Sequence, residues 1–362
     1  MWIDSLTIEN CRSLSNVTLK FSPNINIIIG DNASGKTSLL EALTLLSSGR
    51  SFRTSHISDV ISYNKNSVLV SAKLKLNAGL TSQIGLEKDK KKTRIRINKE
   101  NIFSQAELSL HLPLTIIHPG SIDLITGSPS LRRSFIDWIS FYKYPNFHGL
   151  WKSYQHILKQ RNMCLKSFKH RSSLDKWTEE LIFLQPQIHN YRVSALKLLK
   201  EEWTKTLTFL FDDIKFDILY KSGLPDNIDL GKESLHDYYK DREAYDLKLQ
   251  RTSGGVHRAD FKLMMNDKLA LEIASRGQLK LLAISLLLAK NAVISQNKSI
   301  EGILLIDDLA AELDNNNKNK LLNYISSLNQ QLIITMTKKS LPSHFEYKVF
   351  HVKHGKLSDV LE

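Results

Sequence analysis

The sequence predicts an α/β protein whose two ends build one sheet-based domain, with a mainly helical lobe inserted between them. Three observations predict this. The apolar run Ile27-Ile28-Ile29 stops at Gly30 and gives way to a helical pattern from Lys36. A second apolar run, Gly302 to Ile306, ends in Asp307-Asp308. Between them, from about Ser130 to Gln250, apolar residues recur at helical spacing.

The elements follow in order. Ile3, Leu6 and Ile8 are apolar among polar neighbours, and Val17, Leu19 and Phe21 alternate strictly, so the first residues read as half-buried strands. Ile25 and Ile27 to Ile29 read as a strand buried on both faces. Leu39, Leu40, Leu43 and Leu46 mark the helix after it. Residues 67–115 again read mainly as strand. Arg94-Ile95-Arg96-Ile97 alternates cation and aliphatic, which puts both arginines on one strand face. In the inserted lobe Trp151, Tyr154, Ile157 and Leu158 repeat at helical spacing, as do Tyr191, Ala195, Leu198 and Leu199. Pro186 and Gly223-Leu224-Pro225 punctuate that lobe, and strand–helix alternation returns after Gly255. The expected boundaries are 1–130 for the first part of the sheet domain, 131–250 for the helical lobe and 251–362 for the rest of the sheet domain.

With 362 residues and 42% hydrophobic residues the chain can bury a sizeable core. Its formal net charge of +13 suits a polyanionic partner, nucleic acid or an anionic membrane. The two cysteines, Cys11 and Cys164, fit no metal spacing and imply no disulfide framework, which suits a reducing compartment. The start, Met1-Trp2-Ile3-Asp4, lacks the basic region and apolar core of a signal peptide. The apolar stretch Leu281 to Ala289 is too short to span a bilayer. The expectation is a soluble, cytoplasmic protein without a membrane role.

Gly30-Asp31-Asn32-Ala33-Ser34-Gly35-Lys36-Thr37 matches G-x-x-x-x-G-K-[ST] between a buried strand and a helix. Glycines let the backbone curl its N–H groups toward phosphate oxygens, and the helix start adds a favourable dipole. Lys36 is expected to reach the β- and γ-phosphates, and the Thr37 hydroxyl to ligand Mg²⁺. In a parallel sheet, ligands bind beyond the carboxyl ends of strands. Asp307 and Asp308 are therefore expected beside that loop, Asp307 toward Mg²⁺ and Asp308 as base or orienter for an attacking water. Ser275 and Gly277, with Gln278, open another helix and offer a hydroxyl and an N–H to an anion; a serine there also reads as an ordinary N-cap.

In this order, the phosphate loop, Ser-x-Gly-Gln and the Asp-ending strand resemble the ABC-type ATPases. Within that class the chain is similar to the RecF family of bacterial DNA repair proteins. Gly49 to Thr54, Pro119 to Asp137, Gly255 to Asp260 and Ala311-Glu312-Leu313-Asp314 carry this likeness. The sequence departs from the family pattern at Ala33, Phe52, Val256, Ala259 and Ala311. Asp308 stands where ABC-type ATPases generally have Glu, which suits slow turnover. No His follows the later strand, so Thr335 or Thr337 would take that place. The resemblance implies an ABC-type ATPase head, with a phosphate-loop sheet and flanking β-rich lobe, plus the inserted helical lobe. It implies ATP and Mg²⁺ as cofactors and an ATP-dependent homodimer in which Ser275, Gly277 and Gln278 act in trans. It also implies binding to single-stranded, gapped or junction DNA, RecR and RecA as partners, help in RecA loading, SOS induction, and hydrolysis as a slow switch.

The densest basic segment runs from Lys88 to Lys99, and Lys90, Lys91, Lys92, Arg94 and Arg96 are its candidate DNA contacts; a solvated hairpin is the plainer alternative. Arg132 and Arg133 read as structural partners of acids between lobes. Trp138, Phe141, Tyr142 and Tyr144 read as core more than as a base-stacking platform. A transporter subunit would have a shorter insertion than the roughly 240 residues between Gly35 and Ser275, and a Rad50-type head would carry a long coiled coil. A nucleotide-gated binding module without meaningful hydrolysis remains the alternative from another class.

Overall fold

A computed structural model describes residues 1–76, 79–296, 302–308, 313–337 and 346–360. The chain divides into two compact units. Unit 1 comprises residues 1–121, 205–212 and 280–362, and unit 2 comprises 122–204 and 213–279. Residues 251–279, grouped in the sequence reading with the C-terminal part of the sheet domain, fall in unit 2. Both ends of the chain thus belong to unit 1.

Unit 1 is built on two six-stranded sheets. The first is antiparallel, in the order β2 (Leu14–Lys20), β1 (Trp2–Cys11), β4 (Ser67–Lys75), β5 (Thr81–Asp89), β6 (Thr93–Ile97), β7 (Glu100–Ile102). The second runs β15 (Lys356–Val360), β14 (Tyr347–Lys353), β3 (Ile25–Ile29), β13 (Leu332–Met336), β12 (Ile303–Ile306), β8 (Leu114–Ile117). Its pairs are parallel except for β14–β15. The all-aliphatic run of β12, and that of β3, aliphatic but for Asn26, explain this. Every residue of each is buried, as a sheet covered on both faces requires.

The helix Lys36–Ser48 is buried along most of its length, and its Leu39, Leu40, Leu43 and Leu46 share one core with Leu6 and Ile8 of β1, Ile28 of β3 and Leu305 of β12. The Gln331 side chain ties the two sheets: its oxygen accepts from the Ile3 N–H and its amide donates to the Ile3 carbonyl, both at 2.9 Å. A second core lies on the other face of the parallel sheet, with Ile27, Ile306, Ile334 and Leu281, Ile284 and Leu288 of the helix Arg276–Ser295. That helix is longer than the apolar run predicts. By length and composition it could cross a membrane, yet 67% of its apolar window is buried inside the protein.

Unit 2 is mainly helical, with Pro129–Lys143, Phe147–Lys166, most of Leu174–Leu210, Lys232–Asp241 and Glu243–Leu249. Pro186 does not break the helix Leu174–Leu210; it lies inside it. A sheet β11 (Lys268–Leu269), β10 (Asp260–Met265), β9 (Phe216–Lys221) also belongs here. Strand β9 interrupts the helical run expected from 130 to 250, and the helix Gln105–His111 interrupts the strands expected from 67 to 115. Both are short elements, and a short run carries too few repeats for its period to be read.

The segment Thr252–Asp260 is held from many sides. Arg161, 1% exposed, donates to Asp246 at 2.8 Å and to Thr252 at 2.7 Å. Arg192 forks onto Asp137 at 2.8 and 3.0 Å and also bonds the Val256 carbonyl. Arg132 forks onto Asp260 at 2.7 and 3.0 Å, and Arg133 donates to the Ala259 carbonyl at 2.8 Å. Arg132 and Arg133 are therefore structural, but their partners lie within unit 2 and not between lobes. Gly223 has φ +91°, and a Cβ there would stand 2.2 Å from the Gly255 carbonyl, so only glycine lets the two loops meet.

Candidate nucleotide site

The loop Gly30–Thr37 joins β3 to the helix Lys36–Ser48 at the carboxyl end of the parallel sheet. Its start is shaped by close approach. A Cβ on Gly30 would stand 2.4 Å from the Val352 carbonyl and 2.6 Å from Ser34 Oγ. Its far end is braced by the turn between β14 and β15, where the Gly355 N–H donates to the Ser34 carbonyl at 2.9 Å. Gly35 caps the helix with φ 116° and has no side chain to offer its first N–H groups. Those donors are left for an anion, in the place where the dipole favours one. Ser34 Oγ is buried with no hydrogen-bond partner among the described residues. Ala33 adopts φ 62°, so the departure from glycine does place a Cβ in left-handed backbone, at a cost of about 1 kcal/mol.

Lys36 is 7% exposed, and its ammonium donates to the carbonyls of Gly30 at 2.7 Å and Asp31 at 2.8 Å. The Thr37 hydroxyl lies 3.1 Å from both carboxylate oxygens of Asp307. Strand β13 runs between β3 and β12, and its buried Thr335 sits beneath the two acids. The Thr335 hydroxyl donates to Asp307 Oδ1 at 2.8 Å and accepts from the Asp308 N–H at 2.9 Å. Asp308 has φ 49°, a conformation Asp tolerates better than longer side chains. Thr335 is thus committed to ordering both acids. The fold brings Lys36, Thr37, Asp307 and Asp308 to one end of the parallel sheet.

Below the loop lies a network that the sequence reading missed. Glu41 is fully buried, and Arg12 forks onto it at 2.8 and 2.9 Å. Ser51 donates to it at 2.5 Å and Arg53 stands 3.6 Å away. The Glu41 hydrogen bond raises the Arg12 pKa above its ordinary value. Burial pushes the neighbouring Cys11 thiol up to about 12, which leaves it unreactive. Only the family resemblance points to Gly49–Thr54, and a glutamate inside a buried helix gives no signal of such pairing.

Ser275 and Gln278 lie at the start of Arg276–Ser295, in unit 2. The Gln278 N–H donates to Ser275 Oγ at 3.2 Å, and Gln278 Oε1 accepts from the Ser275 N–H at 2.9 Å. This is a reciprocal capping box. Ser275 and Gly277 are exposed, and a Cβ on Gly277 would come no nearer than 4.0 Å to another group. Asp314 caps the helix Asn315–Ser326 by accepting from the Asn317 N–H at 2.9 Å. Ala311 and Glu312 lie outside the described residues.

The basic segment forms the hairpin β5–β6. Lys90, Lys91 and Lys92 are exposed at its tip, where Asp89 accepts from the N–H groups of Lys91 and Lys92. Arg94 and Arg96 are exposed on one face, with Ile95 and Ile97 buried on the other. Arg94 pairs with Glu87 at 3.0 Å, and Arg96 donates to Asn101 at 3.2 Å. Lys88 enters a cavity that Arg50 and Arg53 also line, and burial, then Arg50, holds its pKa below the ordinary lysine value. In unit 2 Trp138, Phe141 and Tyr142 pack on one another with centroids 5.2 to 5.9 Å apart, and burial raises the Tyr142 pKa. These rings are half-buried and engaged with each other, and Phe141 and Tyr144 pack against the core of unit 2 without being part of its buried set.

An antiparallel sheet flanking a parallel sheet with a phosphate loop, plus a helical unit that carries the Ser-x-Gly-Gln segment, defines an ABC-type ATPase head. Comparison with known proteins narrows the class. The profile described as RecF/RecN/SMC N terminal domain matches residues 2–358, so the chain belongs to that family and, within it, to the RecF family. It is 35% identical over 362 residues to the DNA replication and repair protein RecF of Psychromonas ingrahamii, covering 99% of each chain. It is 34% identical over 365 residues to the protein of that name from Pseudomonas aeruginosa, covering 99% of this chain and 98% of the other. A solved structure described as the recombination mediator protein RecF with ATP in the RecFOR pathway matches at 27% identity and TM-score 0.88, covering 99% and 98%. An SMC head bound to a winged-helix domain of ScpA matches at 17% identity and TM-score 0.60, which shows shared fold alone.

Proposed function

We propose that the protein is an ATP-gated DNA-binding switch of recombinational repair and replication restart. The observation that carries it is the convergence of an uncapped helix start, Lys36 and the Thr37–Asp307 pair at the carboxyl ends of β3 and β12, two strands separated by β13. These residues fit ATP with Mg²⁺. The missing side chain of Gly30 lets the Val352 carbonyl and Ser34 close on the start of the loop, the buried Ser34 hydroxyl lacks a partner among the described residues, and three oxygens from Thr37 and Asp307 converge. Mg²⁺, when bound, neutralises charge on the β- and γ-phosphate oxygens.

In this reading Lys36 exchanges its two loop carbonyls for phosphate oxygens. The N–H groups after Gly35 hold the β-phosphate. Thr37 and Asp307 hold the cation, and Asp308, fixed by Thr335, orients a water in line with the γ-phosphate. The partner's Ser275 and the partner's Gly277 meet that phosphate from a second copy, so ATP favours the dimer because only the dimer satisfies it fully. The basic hairpin Lys90 to Arg96 contacts single-stranded, gapped or junction DNA through phosphates. Turnover through Asp308 is slow and releases the DNA. The names of the relatives support a role in DNA replication and repair and in the RecFOR pathway; the family resemblance extends this proposal to RecR as partner, RecA loading and the SOS response, in the cytoplasm.

Fluorescence anisotropy of labelled gapped DNA, with and without ATP-Mg²⁺, tests this. Tighter binding with ATP that is lost in Lys36→Ala is expected. Binding indifferent to ATP would defeat the gating reading.

A further inference from the structure

The parallel sheet brings one further side chain beside the acids of the site. Strand β8 lies next to β12 in parallel register, with Ile116 opposite Leu305 and Ile117 opposite Ile306. The pairing continues just past the strands, where the Asp307 N–H donates to the Ile117 carbonyl at 2.8 Å. The residue that follows Ile117 is His118, so His118 stands opposite Asp307 across one strand spacing of about 4.8 Å.

Alternation decides which face it takes. Ile303 and Leu305 of β12 belong to the core that holds the helix Lys36–Ser48, and Leu304 and Ile306 to the core on the other side. In β8, Leu114 and Ile116 pack on the first core and Ile117 lies in the second. Asp307 and His118 continue the first set, so both project toward the helix that carries Thr37. Thr37 meets Asp307 at 3.1 Å on that side. The position of Phe52 agrees. It packs on the same core, and its ring centroid lies 4.8 Å from that of His118. Its neighbour Ser51 bonds Glu41, one turn from Thr37 along the same helix face.

The imidazole is held in place by its own turn. The Gly120 N–H donates to His118 Nδ1 at 3.1 Å. A backbone N–H can only donate, so Nδ1 is the acceptor and the ring proton sits on Nε2. The ring folds closely over the turn: a Cβ on Gly120 would stand 2.8 Å from its Cε1. The His118 N–H donates to Ser121 Oγ at 2.9 Å, and the His118 carbonyl accepts from the Ser121 N–H at 2.8 Å. One oriented donor is thus fixed at the end of β8, and a fixed donor needs little reorganisation to meet an anion.

We propose that His118 Nε2–H donates to a γ-phosphate oxygen of bound ATP and is the side chain by which the subunit tells ATP from ADP. The proposal rests on the nucleotide reading above and adds a residue and a selectivity to it. The phosphate loop follows β3, and the sheet order from there is β13, β12, β8. A donor on β8 therefore serves the end of the phosphate chain furthest from the loop. Contacts to the β-phosphate are common to both nucleotides, whereas a contact to the γ-phosphate exists with ATP alone.

Isothermal titration of the full chain with Mg²⁺ compares the non-hydrolysable analogue AMP-PNP with ADP. His118→Ala should weaken AMP-PNP about tenfold or more, as one hydrogen bond to a charged group is lost, and ADP less than about twofold. His118→Gln carries an amide as far out as Nε2 and should recover most of the AMP-PNP affinity. His118→Asn reaches only as far as Nδ1 and should not. Should His118→Ala fail to fold, the contrast between Gln and Asn carries the test. Unchanged AMP-PNP affinity in His118→Ala would overturn the proposal. Equal losses for both nucleotides, or recovery by Asn and not by Gln, would reduce His118 to a prop for its turn and overturn it too. Wild-type AMP-PNP binding that Lys36→Ala abolishes would leave the nucleotide reading intact in each of those cases. A wild type that binds neither nucleotide would remove that reading and the proposal together.

Discussion

Lys36 makes the most direct claim on the site, because its ammonium already has two partners. It donates to the Gly30 and Asp31 carbonyls at 2.7 and 2.8 Å while being 7% exposed. Hydrogen bonds from a charged donor contribute about 1.5–3 kcal/mol each. Lys36→Ala removes both, but Asp31 is exposed and water can replace part of the loss. A net destabilisation of about 1.5–3 kcal/mol follows for the protein without nucleotide. For a body of some 150–250 residues this is a fall of roughly 3–12 °C in Tm. Scanning calorimetry with and without ATP-Mg²⁺ reads both effects. At 100 times Kd the wild type gains about 2.7 kcal/mol from ligand, and Lys36→Ala should gain none. Lys36→Met keeps the aliphatic stem and separates lost packing from lost charge. An unchanged Tm without ligand would refute the tether. An ATP shift that persists in Lys36→Ala would show that the loop is not the phosphate site.

Other outcomes follow from the same contacts. Asp308→Asn should leave ATP binding intact and lower the phosphate-release rate by two or more orders of magnitude, about 3 kcal/mol of barrier; an unchanged rate would favour a pure nucleotide-gated binder. Ser275→Arg should bind ATP normally and stay monomeric in sedimentation with ATP, since the residue is exposed at a helix start; an ordinary ATP-driven dimer would sink the in-trans role of Ser275. Arg12→Ala leaves the buried Glu41 carboxylate with only Ser51 and a distant Arg53, so urea denaturation should show a loss of about 3 kcal/mol, and a loss below about 1 would mean that water reaches Glu41. His257 has its pKa pushed down to about 4 by burial, with Arg258, Arg133 and Arg161 adding to the effect; its ring meets the Tyr154 hydroxyl and the Thr252 carbonyl. The unfolded chain then binds a proton that the native state refuses between roughly pH 6.5 and 4. This share of stability is complete above that window and is lost as pH falls through it. The wild-type unfolding profile should carry one more proton of slope there than His257→Gln, and identical slopes would contradict the buried neutral ring.

The phosphate loop was legible because its chemistry is local: eight consecutive residues between a buried strand and a helix contain the whole device. Asp307 and Asp308 were legible because a strand made only of aliphatics can end in acids at little else than a site or a cap. Arg94 and Arg96 were readable from a period of two. The rest depends on contacts distant in sequence. Glu41 meets Arg12 from 29 positions away, and Asp246 meets Arg161 from 85, with nothing at either position to announce the partner. Strand β9 was lost inside a helical stretch because Phe216 to Lys221 is too short for its period to compete with its neighbours. Ser275 could be read as cap or as anion ligand, and its capping bond shows that the first is in use. The second belongs to the proposed dimer.

Backbone strain adds a last argument about the site. Two of its residues other than glycine adopt left-handed backbone, Ala33 at φ 62° in the loop and Asp308 at φ 49° after β12. Each costs on the order of 1 kcal/mol, and such positions persist only where their surroundings over-determine them. At Asp308 the determinant is visible. The N–H is fixed by Thr335, the same hydroxyl that orients Asp307, so the carboxylate that would position water and the one that would hold the cation are set by one side chain. A glutamate at 308 would tolerate this backbone less well and reach further. Asp at this position therefore fits the local geometry, and its shorter reach to the γ-phosphate is consistent with a switch that turns over slowly.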